Sequence, residues 1–399
     1  MSTWKARLIA KHADEQRAKF DANIPVRKLK GTVDDQRTIL HVDFDCFFVS
    51  AGLTSRPHLR GKPVAVCHAS GLGADKCSST SEIASCSYEA RAFGVANGIS
   101  FGRAREKCPE IQAIPFEFEL YERFSDAFYD VLLRNSDALQ AISIDEAIIE
   151  VSSRVPHVSA APEPASKDDD PAIAFAERLR SEIRDATGCE ASIGIGHNIL
   201  LARLATKKAK PAGAFHLLPS AVRSFLDPLP VDALPGIGWS LSDKLGQIKV
   251  DQVGSLVKMA PGILTNAIGP GNSAKYLKFA EGVDDRELDF GKARGSVSVD
   301  INYGIRFSDN AQVERFMYEM GQEVSSVRMP VPLSRAKCFL LTTSAAHEGD
   351  QRPWPLLDRV HHEASQGCAC AGAQVSRPWP LHDAPRVEHT LGAQGRWRD

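Results

Sequence analysis

Residues 38–51 read TILHVDFDCFFVSA, and this stretch predicts a buried strand that runs directly into a helix. Asp43 and Asp45 lie two positions apart on the strand, so their side chains point to the same face. Carboxylates at the end of a buried strand are unfavourable unless they are paired or bind a metal ion. The stretch therefore predicts an acidic site at the end of a strand.

A second acidic pair lies in residues 141–151, AISIDEAIIEV, which predict a two-stranded hairpin region. If this region pairs with the first strand, Asp43, Asp145 and Glu146 form an oxygen-rich site suited to Mg²⁺. Two such ions can activate a 3′-hydroxyl and stabilise the leaving pyrophosphate of an in-line displacement. An isolated DxD motif is more often a pair of surface acids, and the second motif is what favours the metal site.

The composition excludes several classes of protein. The 399 residues are 43% hydrophobic and 25% charged, which excludes disorder over the whole chain and is typical of about two to four domains. Lys and Arg number 48 against 50 Asp and Glu, so any nucleic-acid surface has to be local. The apolar runs are shorter than the ~18–20 residues that span a bilayer, and residues 1–6 lack the apolar core of a secretory signal. We expect no membrane association.

The cysteines give no sign of a cross-linked or metal-bound framework. The chain has nine of them, an odd number, and no CxxC pair. Such spacing predicts neither a disulfide framework nor a zinc site. We therefore expect a reducing intracellular compartment.

The remaining pattern predicts strands alternating with helices as far as residue 209, then a helical region, and after it a new strand. Residues 1–36 read as a polar, partly helical lead-in, and 156–171 as an acidic surface loop rich in Pro, Ala and Ser. The predicted strands are 64–67, 190–196 and 296–307, and the predicted helices are 81–95, 116–133, 172–187, 198–209 and, together, 216–290.

Four motifs occur in the order found in the Y-family translesion DNA polymerases, which the chain resembles. They are HVDFDCFF at 41–48, SCSYEARAFGVANG at 85–98, SIDEA at 143–147 and KKAKPAG at 207–213. With STWKA at 2–6, RPHLRGKPVAV at 56–66 and INYGIRF at 301–307, the chain is most similar to the eukaryotic deoxycytidyl transferase branch of that family. The resemblance extends from about residue 2 to residue 326.

The resemblance implies an α/β fold with the right-hand architecture of Y-family polymerases, in which palm, small fingers and helical thumb are followed by an incomplete little-finger domain. The implied domains are the lead-in at 1–36, the palm at 37–60 and 110–215, the fingers at 61–109, the thumb at 216–290 and a partial little finger at 295–326. The partial little finger consists of the strand at 296–307 and a helix at about 309–326.

The family pattern implies that Asp43, Asp145 and Glu146 are catalytic and hold two Mg²⁺ ions together with the backbone carbonyl of Phe44. Asp45 matches a position that is usually not a ligand.

The family pattern also implies nucleotide-binding residues. Phe48 matches the steric gate, an aromatic ring that excludes a ribose 2′-hydroxyl. For Phe47, nucleotide contact and a place in the core stay equally open. Spacing on one helix places Ser85, Tyr88 and Arg91 on a shared face that can bind a triphosphate.

Further charged and polar positions are assigned in the same way. Asn97 matches a nucleotide-contacting position, and Lys210 matches the lysine that reaches the phosphates. Arg203, Lys207 and Lys208 are expected to be surface or backbone-facing charges.

The segment LPGIGWSLSDKL at 234–245 resembles a helix-hairpin-helix, which binds DNA without reading its sequence. Gly236 and Gly238 let backbone N–H groups come close to DNA phosphates. The segment AIGPGNSAKYLKF at 267–279 reads as a second, weaker copy. A PGIG turn alone is a common connector between helices, and the family context favours the DNA-binding interpretation.

The implied function is DNA repair in the nucleus: addition of dCMP from dCTP to a primer 3′-hydroxyl opposite damaged template. The implied partners are primer–template DNA, dCTP and other translesion polymerase subunits.

Two departures favour an impaired alternative. The branch carries a dCTP-pairing Arg in a segment just before STWKA, and we expect this Arg, most of the little finger and the recruiting regions to be missing. The alternatives are a DNA-binding or scaffold remnant and, third, a palm-type nucleotidyl cyclase.

Residues 327–399 follow a different composition. From residue 331 onward there is one Lys and no Ile, Asn or Tyr, and RPWPL occurs twice, at 352–356 and 377–381. We interpret this tail either as translated intron or shifted frame, or as an ordinary disordered tail.

Overall fold

The computed structural model describes residues 37–69, 71–73, 77–155, 166, 168–289 and 307–326. The predictions for the lead-in at 1–36, for the strand at 296–307 as far as residue 306 and for the tail at 327–399 lie outside the described residues. So does most of the loop predicted at 156–171, namely residues 156–165 and 167. Both acidic motifs and the helix-hairpin-helix segment lie within them.

Apolar stretches form a five-stranded and a three-stranded sheet in this part of the chain. In chain order the strands are β1 (Ile39–Phe44), β2 (Val64–Val66), β3 (Ser85–Cys86), β4 (Gln112–Ile114), β5 (Ala138–Ala141), β6 (Glu146–Glu150), β7 (Ala191–Gly196) and β8 (Ala214–His216). The larger sheet has the order β5-β6-β1-β7-β8, and the smaller one has the order β3-β2-β4.

Strand β1 is the central strand of the larger sheet, and it pairs antiparallel with β6 on one side and with β7 on the other. Its side chains alternate between the two faces. Leu40, Val42 and Phe44 belong to one apolar cluster, whereas His41 and Asp43 point to the opposite face. The strand thus presents its polar residues to a single face.

Helices cover both faces of the larger sheet. The helices of the described residues are α1 (Phe47–Thr54), α2 (Tyr88–Ala92), α3 (Phe101–Lys107), α4 (Phe118–Arg134), α5 (Pro171–Thr187), α6 (Ile199–Ala209), α7 (Val222–Leu226), α8 (Trp239–Gln247), α9 (Val253–Lys258), α10 (Pro261–Ile268), α11 (Pro270–Ala280) and α12 (Asn310–Ser326). Helices α4 and α5 pack on the apolar face of β1, and α6 lies on the face of His41 and Asp43. Within the described ranges, no helix is long and apolar enough to cross a membrane.

Helix α6 packs unusually close to β7, and glycine permits this. A Cβ atom at Gly194 would lie 2.1 Å from the backbone nitrogen of Thr206, and one at Gly196 would lie 2.9 Å from that of Ala202. The close approach brings one face of α6 over the end of β1, where the acidic motif lies.

The predicted elements are largely confirmed. Strand β7 and helices α4, α5 and α6 begin and end within two residues of their predicted bounds. The region predicted to be helical at 216–290 holds helices from 222 to 280, but His216 belongs to β8 and residues 281–289 form neither helix nor strand, so the prediction is wrong at both ends. Helix α12 confirms the helix predicted at 309–326.

The predicted helix at 81–95 is wrong in its first half. Ser85 lies in β3, where it pairs with Val66 of β2, and the helix begins only at Tyr88. Ser87 is the reason, because its hydroxyl accepts a hydrogen bond from the backbone N–H of Ala90 at 3.3 Å and caps the helix there. Ser85 therefore does not share a helix face with Tyr88.

Candidate active site

The paired ends of β1 and β6 bring two of the predicted carboxylates together. Asp43 lies directly opposite Glu146 in the antiparallel register. Opposite side chains on such strands have Cβ atoms about 4.5–5.5 Å apart. Ligand atoms of His41, Asp43 and Glu146 all lie within 4.8 Å of one another. The sequence prediction included the two carboxylates and missed the histidine.

Asp145, the third predicted carboxylate, lies in the turn before β6. Its carbonyl oxygen accepts a hydrogen bond from the backbone N–H of Phe44 at 3.0 Å, which places the turn beside the end of β1. Ser143 Oγ donates to Asp145 Oδ1 at 2.5 Å. The buried Tyr129 hydroxyl donates to the carbonyl oxygens of Ser143 and Glu146 at 2.6 and 3.0 Å. The turn that carries Asp145 is thus held from both of its ends.

Glu146 is oriented by two cationic or protonated groups. His41 Nε2 lies 2.6 Å from Glu146 Oε1, and Arg203 donates to the same oxygen at 2.8 Å. An ionised carboxylate only accepts hydrogen bonds, so Nε2 of His41 carries a proton. The other ring nitrogen, Nδ1, lies 2.8 Å from Thr206 Oγ1. His41 therefore links Glu146 to helix α6.

The expectation that Arg203 is a surface or backbone-facing charge is wrong, because α6 packs close enough to β7 to aim it at Glu146. Lys207 does face backbone, since its Nζ donates to the carbonyl oxygen of Ala233 at 3.1 Å. A signal for Arg203 was present in the spacing: Arg203, Thr206 and Lys210 recur at i, i+3 and i+7, which is one helix face.

Lys210 lies against the oxygens of β1. Its ammonium group forms an ion pair with Asp43 and also donates to the carbonyl oxygen of Phe44 at 3.3 Å. It follows α6 directly, where Pro211 prevents the helix from continuing. A cation is therefore held between the side chain of Asp43 and the backbone oxygen of the next residue.

Burial separates the acid strengths of the three carboxylates. It raises the pKa of Asp43 and of Asp145; Lys210 opposes the rise at Asp43, and the charge of Glu146 adds to the rise at Asp145. Burial also acts on Glu146, but the hydrogen bond and charge of His41 and the neighbouring cations outweigh it, so the pKa of Glu146 is lowered. Burial thus opposes the ionisation of Asp43 and Asp145, whereas the groups around Glu146 favour its ionised form.

Asp45 is occupied by hydrogen bonds, which agrees with its omission from the predicted ligands. Its carboxylate accepts from Ser192 Oγ at 2.9 and 3.0 Å, from the Tyr88 hydroxyl at 2.9 Å and from the backbone N–H of Ala212 at 2.7 Å. The side chain is buried. Asp45 therefore connects strand β7, helix α2 and the loop after α6.

The hairpin before α8 has the geometry expected for close approach by a ligand. Gly236 has φ +93°, a left-handed conformation that favours glycine, and a Cβ there would lie 2.9 Å from the Tyr276 hydroxyl. Gly238 has an ordinary φ of −92° and open space around it. The next residue, Trp239, is 86% exposed. The hairpin thus presents backbone and an indole ring to solvent.

Comparison with known proteins decides the family. Residues 42–207 match the impB/mucB/samB family, and residues 219–250 match the IMS family HHH motif. DNA polymerase IV 3 of Mesorhizobium japonicum is 30% identical over 293 residues, which cover 73% of this chain and 75% of that protein. The chain belongs to the Y family of translesion DNA polymerases. Its fold agrees: the insertion ternary complex of Dbh DNA polymerase has a TM-score of 0.54 at 26% identity and covers 63% of this chain and 69% of that one.

Among Y-family proteins, the chain is also similar to eukaryotic Rev1. The DNA repair protein rev1 of Schizosaccharomyces pombe is 39% identical over 310 residues, which cover 77% of this chain and 31% of that protein. The DNA repair protein REV1 of Arabidopsis thaliana is 37% identical over 292 residues, which cover 72% of this chain and 25% of that protein. The chain thus spans about a third or less of the length of these curated relatives.

The donor set fits the divalent cations that Y-family chemistry implies. Asp43, Asp145 and Glu146 supply carboxylate oxygens and Phe44 a carbonyl oxygen, the hard ligands that Mg²⁺ prefers. The ammonium group of Lys210 already binds two of these oxygens, which shows that the pocket favours positive charge. The raised pKa values of Asp43 and Asp145 point the same way.

The two aromatic residues after the first acidic motif occupy different environments. Phe47 is 3% exposed and stacks on Phe44 at 4.8 Å, so its ring belongs to the core. Phe48, the predicted steric gate, is half-buried and stacks on Tyr121 at 4.5 Å. Its edge meets Phe116 at 6.3 Å. Phe48 is therefore less buried than Phe47, and its role as the steric gate stays a prediction.

The predicted nucleotide-binding residues of the fingers lie around one short helix. Tyr88 begins α2, and the Arg91 guanidinium lies over its ring at 5.0 Å. Arg91 also donates to the carbonyl oxygen of Cys86 at 3.2 Å and is otherwise exposed. Asn97 is exposed and accepts a weak hydrogen bond from Cys86 Sγ at 3.4 Å. Ser85 is buried in β3, immediately before Cys86. These groups flank α2 without forming a single helix face.

Proposed function

We propose that this chain is a Mg²⁺-dependent DNA nucleotidyltransferase that adds dCMP from dCTP to a primer 3′-hydroxyl opposite damaged template. The observation that carries the proposal is the convergence of Asp43, Asp145 and Glu146 beside the ammonium group of Lys210. The choice of dCTP rests on the likeness to Rev1 proteins rather than on any contact within the chain.

In this proposal each residue has a defined task. Asp43, Asp145, Glu146 and the Phe44 carbonyl would hold two Mg²⁺ ions. When bound, these ions would supply charge neutralisation at the 3′-hydroxyl and at the pyrophosphate. Lys210 pairs with Asp43 in the nucleotide-free protein and moves onto the phosphate oxygens when the nucleotide binds. The same positive charge is thus used in the free and in the bound form.

The fingers complete the binding of the triphosphate. Arg91 donates two parallel hydrogen bonds to a phosphate, and the Ser85 hydroxyl adds a further donor. The Tyr88 hydroxyl donates to a phosphate after it gives up its hydrogen bond to Asp45. Phe48 lies under the sugar and excludes a 2′-hydroxyl, and Asn97 contacts the nucleotide from the end of the fingers motif. The rate enhancement comes from positioning and charge neutralisation, without a covalent intermediate on the protein.

The thumb hairpin binds the duplex. Backbone N–H groups near Gly236 and Gly238 contact phosphates, which gives affinity for any sequence. The same likeness to Rev1 supports a nuclear repair role with primer–template DNA and other translesion polymerase subunits as partners.

Single-nucleotide primer extension tests the proposal. Each dNTP is supplied alone with Mg²⁺, a primer and a template that places guanine or an abasic site opposite the incoming nucleotide. Extension dominated by dCTP and abolished in Asp145→Ala supports the proposal. Extension by all four dNTPs retains the polymerase but overturns the choice of dCTP. DNA binding without extension under Mg²⁺ or Mn²⁺ supports the scaffold alternative.

A further inference from the structure

The fingers hold two thiols in direct contact. Cys67 follows β2 and is fully buried, and Cys77 lies in the next segment and is partly exposed. Their Sγ atoms are 2.7 Å apart. The two atoms are not bonded, since a disulfide bond is about 2.05 Å long, but they are in direct contact. No spacing rule applied to the sequence pairs these residues.

The backbone brings the two thiols together independently of the side chains. Ala69 and Cys77 form an antiparallel bridge, which places the chain after β2 alongside the segment that begins at Cys77. Ser81 Oγ adds a hydrogen bond to the carbonyl oxygen of His68 at 3.0 Å. The contact between the sulfur atoms is therefore part of the local fold.

We propose that Cys67 and Cys77 form a reversible disulfide, which makes the fingers a site of oxidative modification. The proposal concerns this pair alone and does not depend on the proposed catalytic function. The oxidant is a small-molecule disulfide such as oxidised glutathione.

The exposures of the two thiols determine the order of the reaction. Cys77, the accessible thiol, attacks one sulfur of the oxidant as the thiolate; it forms a mixed disulfide and releases one small-molecule thiol. Burial and the neighbouring Cys77 raise the pKa of Cys67, so Cys67 is a poor first attacker. Cys67 then loses its proton and attacks Sγ of Cys77, and the second small-molecule thiol leaves. Two protein thiols are oxidised and one disulfide is reduced to two thiols.

The cross-link fastens a segment that supports the fingers. Ser81 and Ser79 accept backbone hydrogen bonds from Phe101 and Gly102, at the start of α3, at 2.7 and 2.8 Å. A disulfide at Cys77 therefore joins the end of β2 covalently to the residues on which α3 begins. The link restrains the fingers sheet while leaving the larger sheet untouched.

Peptide mapping of the full chain after oxidation tests the proposal. The protein is incubated with oxidised glutathione, remaining thiols are alkylated, and trypsin is added. Lys76 lies between the two cysteines, so Cys67 falls in peptide 61–76 and Cys77 in peptide 77–91. We expect a linked pair of these peptides, about 2 Da lighter than their sum, that separates on reduction. Fragmentation distinguishes Cys77 from Cys86 in the second peptide.

Variants make the result specific. Cys77→Ser should abolish the linked pair, and Cys67→Ala should leave one glutathione on Cys77 because no second thiol removes it. Cys108→Ala, which alters a buried thiol of the same apolar cluster, is the matched control and should still cross-link. The proposal is overturned if Cys67 and Cys77 are both still alkylated when the oxidised wild type is denatured in the alkylating reagent, or if Cys77 retains glutathione while Cys67 is still free. A link from either residue to Cys86 also overturns it.

Discussion

Asp43 lies directly opposite Glu146 in the pairing of β1 with β6, and both side chains face helix α6. Like charges at directly opposite positions of a sheet are destabilising. The structure offsets this with Lys210 on Asp43 and with His41 and Arg203 on Glu146. The carboxylates of this candidate active site are therefore stabilised by neighbouring positive charge, and we expect added divalent cations to stabilise them further.

Replacing Asp145 with Asn should stabilise the protein in the absence of divalent ions. The folded-state pKa of Asp145 is raised, so its ionisation opposes folding above that pKa and the opposition disappears as the pH falls through it. At neutral pH we therefore expect Asp145→Asn to raise the free energy of unfolding. Thermal unfolding in EDTA measures this.

The same variant should lose its response to Mg²⁺. Wild type gains stability with added Mg²⁺ by mass action, and Asp145→Asn should gain much less. Glu119→Gln, which changes an exposed acid on α4, is the control and should respond like wild type. Equal Mg²⁺ stabilisation in Asp145→Asn and wild type would contradict the assignment of Asp145 as a ligand.

Removing the imidazole of His41 should weaken catalysis through Glu146. Replacing a residue that orients a metal ligand typically lowers metal affinity or activity about 10–100-fold. We expect His41→Ala to raise the Mg²⁺ concentration for half-maximal primer extension by about tenfold. His41→Gln, which keeps a donor, should recover part of the loss, and Thr206→Val should have a smaller effect. An unchanged Mg²⁺ dependence in His41→Ala would refute the positioning role.

Truncating Phe48 should relax the choice of sugar. Phe48→Ala removes the half-buried ring beside Tyr121, and we expect the preference for deoxyribonucleotides over ribonucleotides to fall about tenfold or more. Steady-state insertion of dCTP and CTP measures this ratio. Phe47→Ala is the contrasting variant: its ring lies in the core, so it should lose about 3–5 kcal/mol of stability without a comparable change in the ratio. A relaxed ratio in Phe47→Ala alone would reverse the two roles.

The two hairpin glycines should separate stability from DNA binding. Gly236→Ala places a Cβ at φ +93° and 2.9 Å from the Tyr276 hydroxyl, so it should lower stability by about 1–2 kcal/mol. Gly238→Ala meets no neighbour and should leave stability within about 0.5 kcal/mol. We nevertheless expect Gly238→Ala to weaken duplex binding about tenfold, equivalent to ~1.4 kcal/mol. Fluorescence anisotropy measures the affinity.

A control glycine completes that comparison. Gly262 on α10 also has open space around a Cβ, and it lies outside the hairpin. Gly262→Ala should leave DNA affinity unchanged. If Gly238→Ala and Gly262→Ala bind DNA equally well, the hairpin is not the contact surface.

The buried carboxylate of Asp170, which is hydrogen-bonded to His216, should make stability depend on acid pH. Asp170 caps α5 through the backbone N–H of Ala172 at 2.9 Å and accepts a hydrogen bond from His216 at 2.8 Å. Burial raises the pKa of Asp170, but His216 and the cap outweigh it and the pKa is lowered. The pair therefore contributes stability above the unfolded pKa of about 3.8, and this is lost as the pH falls further.

Urea unfolding as a function of pH checks this pair. Asp170→Asn should lose about 2–3 kcal/mol at pH 7, and the difference from wild type should shrink below the unfolded pKa of aspartate. A difference that stays constant down to pH 3 would show that the charge of Asp170 is not involved.

The sequence predicted those parts of the site that depend on local pattern. Asp43 belongs to an alternating strand and Glu146 begins an apolar one, so each was recognisable as a carboxylate at a strand end. Neither motif alone predicts that the two strands pair, or that their register places Asp43 opposite Glu146. That prediction needed both motifs together. The family resemblance supplied that context.

The remaining parts depend on tertiary packing. Helix α6 reaches the centre only because β7 has glycine where α6 crosses it, so the contact of Arg203 with Glu146 was not predicted. His41 reads as an ordinary polar residue on a strand until Glu146 lies beside it. The capping hydroxyl of Ser87 overrode the helical spacing that had grouped Ser85 with Tyr88.

The most direct measurement is single-turnover primer extension by the full chain with dCTP and Mg²⁺, combined with DNA affinity measured on the same preparations. We predict that wild type adds one dCMP to the primer. We predict that Asp145→Asn slows this step by at least about a thousandfold while it binds primer–template DNA as tightly as wild type. Equal extension rates in wild type and Asp145→Asn, or no extension by folded, DNA-bound wild type, would contradict a carboxylate-centred nucleotidyl transfer.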